Sequence, residues 1–177
     1  YSKYYSYVMD TIDTNFTFWK DNIEKATFWE KHISNFVKEL LQEYRLPEGD
    51  IMEYGSYKGG LIDTLKELYP LRKITGFDTD NLANHKDIVE IDIRQLSSMR
   101  EYDCSIAFAV NDIPIWEHSG PSKMAAYSHA MTNLVDGGYY LESRKDNDKP
   151  EFISANKNLK FIKSTKNIVV FQRISET

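Results

Sequence analysis

The chain has 177 residues, of which 41% are hydrophobic, 14% aromatic and 28% charged, a balance that supports one sizeable core and excludes a disordered or collagen-like chain. Its 22 Lys and Arg against 27 Asp and Glu leave a formal charge of -5, so the molecule as a whole lacks the basic field on which nucleic-acid binding draws, and a small-molecule partner is expected. The single Cys104 excludes an internal disulfide, and neither a membrane-length apolar run nor a signal-peptide layout opens the chain, which points to a cytoplasmic protein with no membrane partner.

Residues 1–46 are dense in aromatic side chains, and Trp29, Ile33, Phe36, Leu40 and Tyr44 recur at helical spacing. Thr27 followed three residues later by Glu30 fits a capping box, so a helix is predicted from about Thr27 to about Arg45, just ahead of Pro47 and Gly49. This segment is read as a helical cap, 1–46, on a core of 47–177. Its aromatic residues are read either as core packing or as a lid over the acceptor pocket, with Tyr4, Tyr5, Phe18 and Trp19 the candidates for the lid.

From residue 50 onward short apolar runs alternate with helical stretches. Buried strands are predicted at 51–54, 74–77, 88–91, 104–110 and 139–141. Leu61, Leu65 and Leu68 mark one intervening helix, ended by Pro70. Met124, Tyr127, Met131 and Leu134 mark another, with Gly137 and Gly138 after it, and His129 is expected on its exposed face. Two further strand-like runs, 159–164 and 168–173, are three residues apart and predict a hairpin. Repeated strand and helix units closing on a hairpin predict an α/β protein. Its form is a Rossmann-like three-layer αβα sandwich, a mostly parallel sheet with an antiparallel C-terminal hairpin and an N-terminal helical cap.

Chemistry is concentrated at three strand ends. The first strand runs into Gly55-Ser56-Tyr57-Lys58-Gly59-Gly60 and then a helix, a turn where a ligand can approach the backbone. The spacing is neither the Gly-x-Gly-x-x-Gly of dinucleotide binders nor a P-loop, and Glu53 beside it opposes a polyphosphate. Asp78 ends the second strand and Asp92 the third. Three carboxylates at consecutive strand ends suit a ligand with ammonium, ribose and adenine groups and no phosphate.

These segments, Glu53 to Gly60, Gly76-Phe77-Asp78 and Ile91-Asp92-Ile93, together with the final hairpin, resemble the class I S-adenosylmethionine-dependent methyltransferases. The resemblance covers about residues 50–173 and implies a seven-stranded sheet, S-adenosylmethionine as cofactor and methyl transfer as activity. It implies that the loop of Gly55, Ser56, Tyr57, Gly59 and Gly60 passes the methionine part. By the same resemblance Asp78 holds the ribose, Asp92 and the backbone of Ile93 meet the adenine, and Glu53 lies near the amino group. The Glu-x-Gly-x-x-x-Gly-Gly form is closest to catechol-type and macrocin-type O-methyltransferases. Some of those relatives bind magnesium; Asp112, Glu142 and Asp146 do not reproduce their ligand pair cleanly, so magnesium stays an open alternative that is not favoured. Asn111-Asp112-Ile113-Pro114 also departs from the motif of DNA amino-methyltransferases.

His118 and then Asp112 are the candidate general bases for the acceptor's proton. The expected function is methylation of a small-molecule acceptor, oxygen favoured over nitrogen. The alternatives are a non-catalytic S-adenosylmethionine or nucleoside binder, and a methyltransferase of RNA or protein within a larger assembly. His32 and His85 are expected to be structural, and Cys104 an inert core thiol.

Overall fold

The structure, a computed structural model, describes residues 16–110, 120–143, 153, 156–165 and 168–175; for 16–26, 28, 29 and 120–122 only the backbone is described. Tyr4, Tyr5, Asp112, His118 and Asp146 lie outside the described residues, as do the side chains of Phe18 and Trp19.

Alternation along the strands sorts the side chains into two cores. In β1 (Asp50–Tyr54) and β2 (Ile74–Asp78), Ile51 and Ile74 join one cluster, whereas Met52, Tyr54 and Phe77 join the other. The first cluster is covered by α1 (Phe16–Leu41), through Ile33, Val37 and Leu40, and by α2 (Gly60–Leu68), through Leu61, Ile62 and Leu65. The second is covered by α3 (Gly120–Asn133), through Ala126 and Ala130. Nine residues are too few for a helix to persist alone, so α2 depends on its three fully buried aliphatic side chains, each contributing about 1.5–3 kcal/mol.

The remaining strands are β3 (Ile88–Glu90), β4 (Cys104–Ala109), β5 (Leu134–Ser143), β6 (Leu159–Thr165) and β7 (Ile168–Arg173). All seven form one sheet in the order β3-β2-β1-β4-β5-β7-β6. The first five strands of that order are parallel, and β7 runs antiparallel between β5 and β6. Strand order reverses between β1 and β4, so the connections leave their carboxyl ends in opposite directions, and such a switch point is the usual ligand position in these sheets. This is the expected seven-stranded α/β sandwich. Ile33 to Leu41 share one core with the sheet, so the helical segment is a layer of the sandwich as well as its beginning.

Three local readings are corrected. Helix α1 starts at Phe16, because no Pro or Gly interrupts residues 16–26; Thr27 is interior to the helix and caps nothing. Its other end tightens after Leu41 into i to i−3 bonds that reach Tyr44. The pair Gly137-Gly138 ends no helix: β5 already begins at Leu134, and its register against β4 slips between Cys104 and Ile106 while Gly137, at φ 79°, takes up the extra residues.

The phase of α3 is also rotated from expectation. Ala126, His129, Ala130 and Asn133 face inward, while Met124 is 43% exposed. Small alanines let the helix approach the sheet closely, and the larger Met and Tyr side chains flank the contact. His129 is therefore buried at 4% exposure, with Nδ1 2.7 Å from the Tyr54 hydroxyl. Burial holds its pKa below the ordinary 6.5. Asn133 beside it accepts from the backbone N–H groups of Glu101 and Tyr102 and donates to the His129 carbonyl.

Candidate functional site

Strand period decides which carboxylates can meet. Glu53 lies two residues after Ile51, and Asp78 four after Ile74, so both share the face that α1 and α2 cover. Glu53 is fully buried and Asp78 is 3% exposed. Opposite Glu53 in the ladder stands Gly76, which has no side chain to hold the loop away from the sheet. Ser56 fills that space, its Oγ where a Gly76 Cβ would be.

The loop after β1 turns with Tyr57 in the left-handed region, at φ 51°, a conformation that costs a non-glycine residue about 1–2 kcal/mol. Tyr57 N–H donates to Asp78 Oδ2 at 2.8 Å, which holds the strained residue in place. Asp78 thereby ties the end of β2 to the glycine loop, and its Oδ1 lies 3.4 Å from the Asp80 amide.

A third carboxylate completes this group, and sequence reading had assigned it to a cap. Glu30 of α1 is 7% exposed; its Oε2 accepts from Lys58 N–H at 3.2 Å, and its carboxylate also accepts from the Gly60 amide. Gly59, at the N-cap of α2, offers no side-chain cap, so Glu30 serves the first turn of α2 from another helix. A Cβ on Gly60 would sit 2.6 Å from Glu30 Oε1, so the close approach requires glycine there. The signal was present in the sequence: Glu30 lies three and seven residues before Ile33 and Val37, on the buried stripe.

The electrostatic result is a cluster of acids with little cationic compensation. Burial, then Glu30, then Asp78 push the Glu53 carboxyl well above its ordinary 4.5. The Glu30 carboxyl is also raised, chiefly by burial, while the amides of Gly60 and Lys58 pull the other way. Farther along the end of β2, Thr79 Oγ1 and Asp80 Oδ2 are buried with no hydrogen-bond partner among the described residues. Burial and Glu90 raise the Asp80 carboxyl. The arrangement can take a ligand that brings positive charge to Glu53 and Glu30 and hydroxyl or amine groups to the end of β2.

Asp92 is placed differently from Glu53 and Asp78. It caps the 3-10 turn Ile93–Gln95, accepting from Arg94 N–H at 3.0 Å, and pairs with the Arg94 guanidinium at 2.7 Å. That pairing holds its carboxyl below the ordinary value. Ile93 is 4% exposed in the α3-side core. Glu142 is buried on β5, where its Oε1 accepts from the Tyr140 hydroxyl at 3.0 Å. Among the described residues no cluster of three or more His, Cys, Asp or Glu side chains forms a candidate metal site. Cys104 is buried, its thiol pushed up to about 12 chiefly by burial. His85 packs beneath Gly59 and contacts Asp63 Oδ1 at 2.8 Å.

No protein-family model and no curated protein sequence matches this chain. Solved structures do. A provisionally named S-adenosyl-L-methionine-dependent methyltransferase from Methanococcus maripaludis superimposes with a TM-score of 0.58 at 13% identity, over 90% of this chain and 93% of the other. A provisionally named O-methyltransferase from Nostoc punctiforme PCC 73102 gives 0.56 at 8% identity, over 82% of this chain. The chain spans only 57% of that second protein. The glycopeptide N-methyltransferase MtfA, complexed with S-adenosyl-L-homocysteine, gives 0.55 at 10% identity, over 81% and 90%. The chain has the fold of the class I S-adenosylmethionine-dependent methyltransferases.

Proposed function

We propose that the protein binds S-adenosylmethionine at the carboxyl ends of β1 and β2 and transfers its methyl group to a small-molecule acceptor. The observation that carries this reading is the buried grouping of Glu53, Asp78 and Glu30 around the glycine loop. A cation meeting those carboxylates lowers their mutual repulsion, and S-adenosylmethionine brings an ammonium group, a sulfonium and a ribose without phosphate. Glu53 and Glu30 are assigned to the ammonium, Asp78 and the amides of the loop from Gly55 to Gly60 to the ribose and methionine part. Thr79 and Asp80 offer further polar atoms at the same strand end. Asp92 and the Ile93 backbone are assigned to the adenine, Asp92 exchanging part of its bonding to Arg94 for the ligand.

When bound, the cofactor supplies a methyl carbon activated by positively charged sulfur. The chain's own task is mainly positioning, since a nucleophile held in line at about 3 Å needs little further help. His118 and Asp112 are proposed to take the acceptor's proton. The Glu53-x-Gly55 form of the loop supports an oxygen acceptor over nitrogen. Residues 1–46 are proposed to cover the acceptor side of the core 47–177. The fold shared with MtfA, which was crystallised with S-adenosyl-L-homocysteine, supports the cofactor assignment.

Calorimetry with S-adenosylmethionine and S-adenosylhomocysteine tests the site. Both are expected to bind, because both keep the ammonium and ribose. Asp78→Ala is expected to weaken both by at least about tenfold, the loss of one buried charged hydrogen bond. A folded wild-type protein that binds neither ends the reading. Transfer of labelled methyl into a metabolite extract, lost in His118→Ala or Asp112→Ala, separates an enzyme from a binder.

A further inference from the structure

A second cleft lies at the opposite end of the sheet from the acidic site. Its volume is about 580 Å³, and it opens at the amino ends of β2 and β3, between the end of α2 and the segment leading into β4. A chain of net charge -5 has gathered four cationic side chains there, Lys66, Arg72, Lys73 and Lys86, with Asp87 as the single carboxylate of the lining.

Lys66 and Asp87 form an ion pair and offset one another. Among the described residues, Arg72, Lys73 and Lys86 have no carboxylate within ion-pair reach. Arg72 is also held in place: its Nη1 donates to the Pro47 and Gly49 carbonyls at 2.7 and 3.0 Å, and its guanidinium lies 5.3 Å from the Tyr69 ring. A fixed guanidinium gives up little conformational freedom when an anion arrives. Lys73 Nζ lies 5.8 Å from the ring of Tyr102, which lines the cleft beside Val89 at 44% exposure. Asp87 also feels the charge of Lys86, so the lining joins a net excess of cations to an aromatic and aliphatic patch.

We propose that this cleft binds a small ligand carrying clustered phosphate groups, with the phosphates at Arg72, Lys73 and Lys86 and an apolar or ring portion against Tyr102 and Val89. Phosphate is the anion that several separate cations share best, through a fork from Arg and point charges from Lys. The volume falls in the range of small-molecule pockets, roughly 300–1,000 Å³. The net negative charge of the whole chain opposes a long polyanion, so a compact ligand is favoured over nucleic acid. The cleft is distinct from the proposed cofactor site, because it lies at the amino ends of the strands whose carboxyl ends carry Glu53 and Asp78.

The test is a titration of the full chain with inorganic pyrophosphate at low salt, followed by backbone amide NMR and calorimetry. Shifts are expected at Lys73, Thr75, Lys86 and Tyr102, with affinity that falls as salt rises. The double variant K73E/K86E changes two exposed side chains and leaves Arg72 in its structural bonds. It is expected to weaken pyrophosphate at least about tenfold while leaving S-adenosylhomocysteine affinity unchanged. Adenosine triphosphate is expected to shift the same amides and to bind there more tightly than pyrophosphate, and equal affinity overturns the placement of a ring against Tyr102 and Val89. The proposal is overturned by a wild-type protein whose cleft amides do not respond to pyrophosphate. It is overturned equally by a folded K73E/K86E protein that binds as the wild type does, or by short single-stranded RNA that outcompetes pyrophosphate for the same residues. Because pyrophosphate lacks ammonium and ribose, its failure is separable from failure of the cofactor reading.

Discussion

Replacing Glu30 isolates what links α1 to the glycine loop. In Glu30→Ala the amides of Lys58 and Gly60 lose their acceptor, and hydrogen bonds to a charged group contribute about 1.5–3 kcal/mol each. Relief of the repulsion between Glu30 and Glu53 offsets part of that loss. A net destabilisation of about 2–4 kcal/mol is expected, which for a chain of this size lowers Tm by about 4–16 °C. Glu30→Gln keeps an oxygen acceptor and removes the charge, and its effect depends on pH. A carboxyl raised above its ordinary 4.5 contributes stability fully below that value and loses it as pH rises through the folded-state value. The wild type therefore carries a penalty at pH 7 that Glu30→Gln removes in part, and the variant gains on the wild type as pH rises from 4.5 through the folded-state value. Denaturant unfolding across that range, with hydrogen exchange at Lys58 and Gly60, reads both effects. An alanine variant with unchanged Tm and unchanged exchange at those two amides would refute the reasoning, as would parallel pH profiles for wild type and Glu30→Gln.

Gly76→Ala places a Cβ on Ser56 Oγ and within 2.6 Å of Ile62 Cδ1; overpacking of this kind costs about 1–3 kcal/mol, and chemical denaturation will show the drop together with weaker cofactor binding. His129, with a pKa held below 6.5 by burial, contributes stability present above pH 6.5 and lost as pH falls through its folded-state value. His129→Gln should flatten that acid slope in thermal melts, and an unchanged slope would mean that another group sets it. Cys104, fully buried with its thiol raised to about 12, is expected to resist thiol reagents in the folded protein and to react on unfolding, so rapid labelling under native conditions would contradict the placement.

The sequence by itself determined the order of strands and helices, the hairpin, the side-chain-poor turn after Tyr54, and the strand-end positions of Glu53 and Asp78. These follow from short-range rules: a period of two or 3.6, and glycine where the backbone must turn. Local pattern also misled where two local signals competed. Thr27 and Glu30 fit a cap as well as they fit a buried stripe, and only the packing of α1 on the sheet turns Glu30 toward Gly60. Helical period marked α3 correctly but left its rotation open. Ala126 and Ala130, not Met124, meet the sheet, and His129 goes inward with them.

Asp92 shows the same division, since its pairing with Arg94 is settled by the turn that follows β3 and not by its position at a strand end. The basic cleft was invisible for a further reason. Lys66, Arg72, Lys73 and Lys86 belong to a helix end, a turn and a loop, and along the chain they read as scattered solvated charges. Periodicity states which side chains of one element share a face. Which face meets which partner, and which distant charges come together, is a property of the packed layers, because it depends on close contacts that no single element contains.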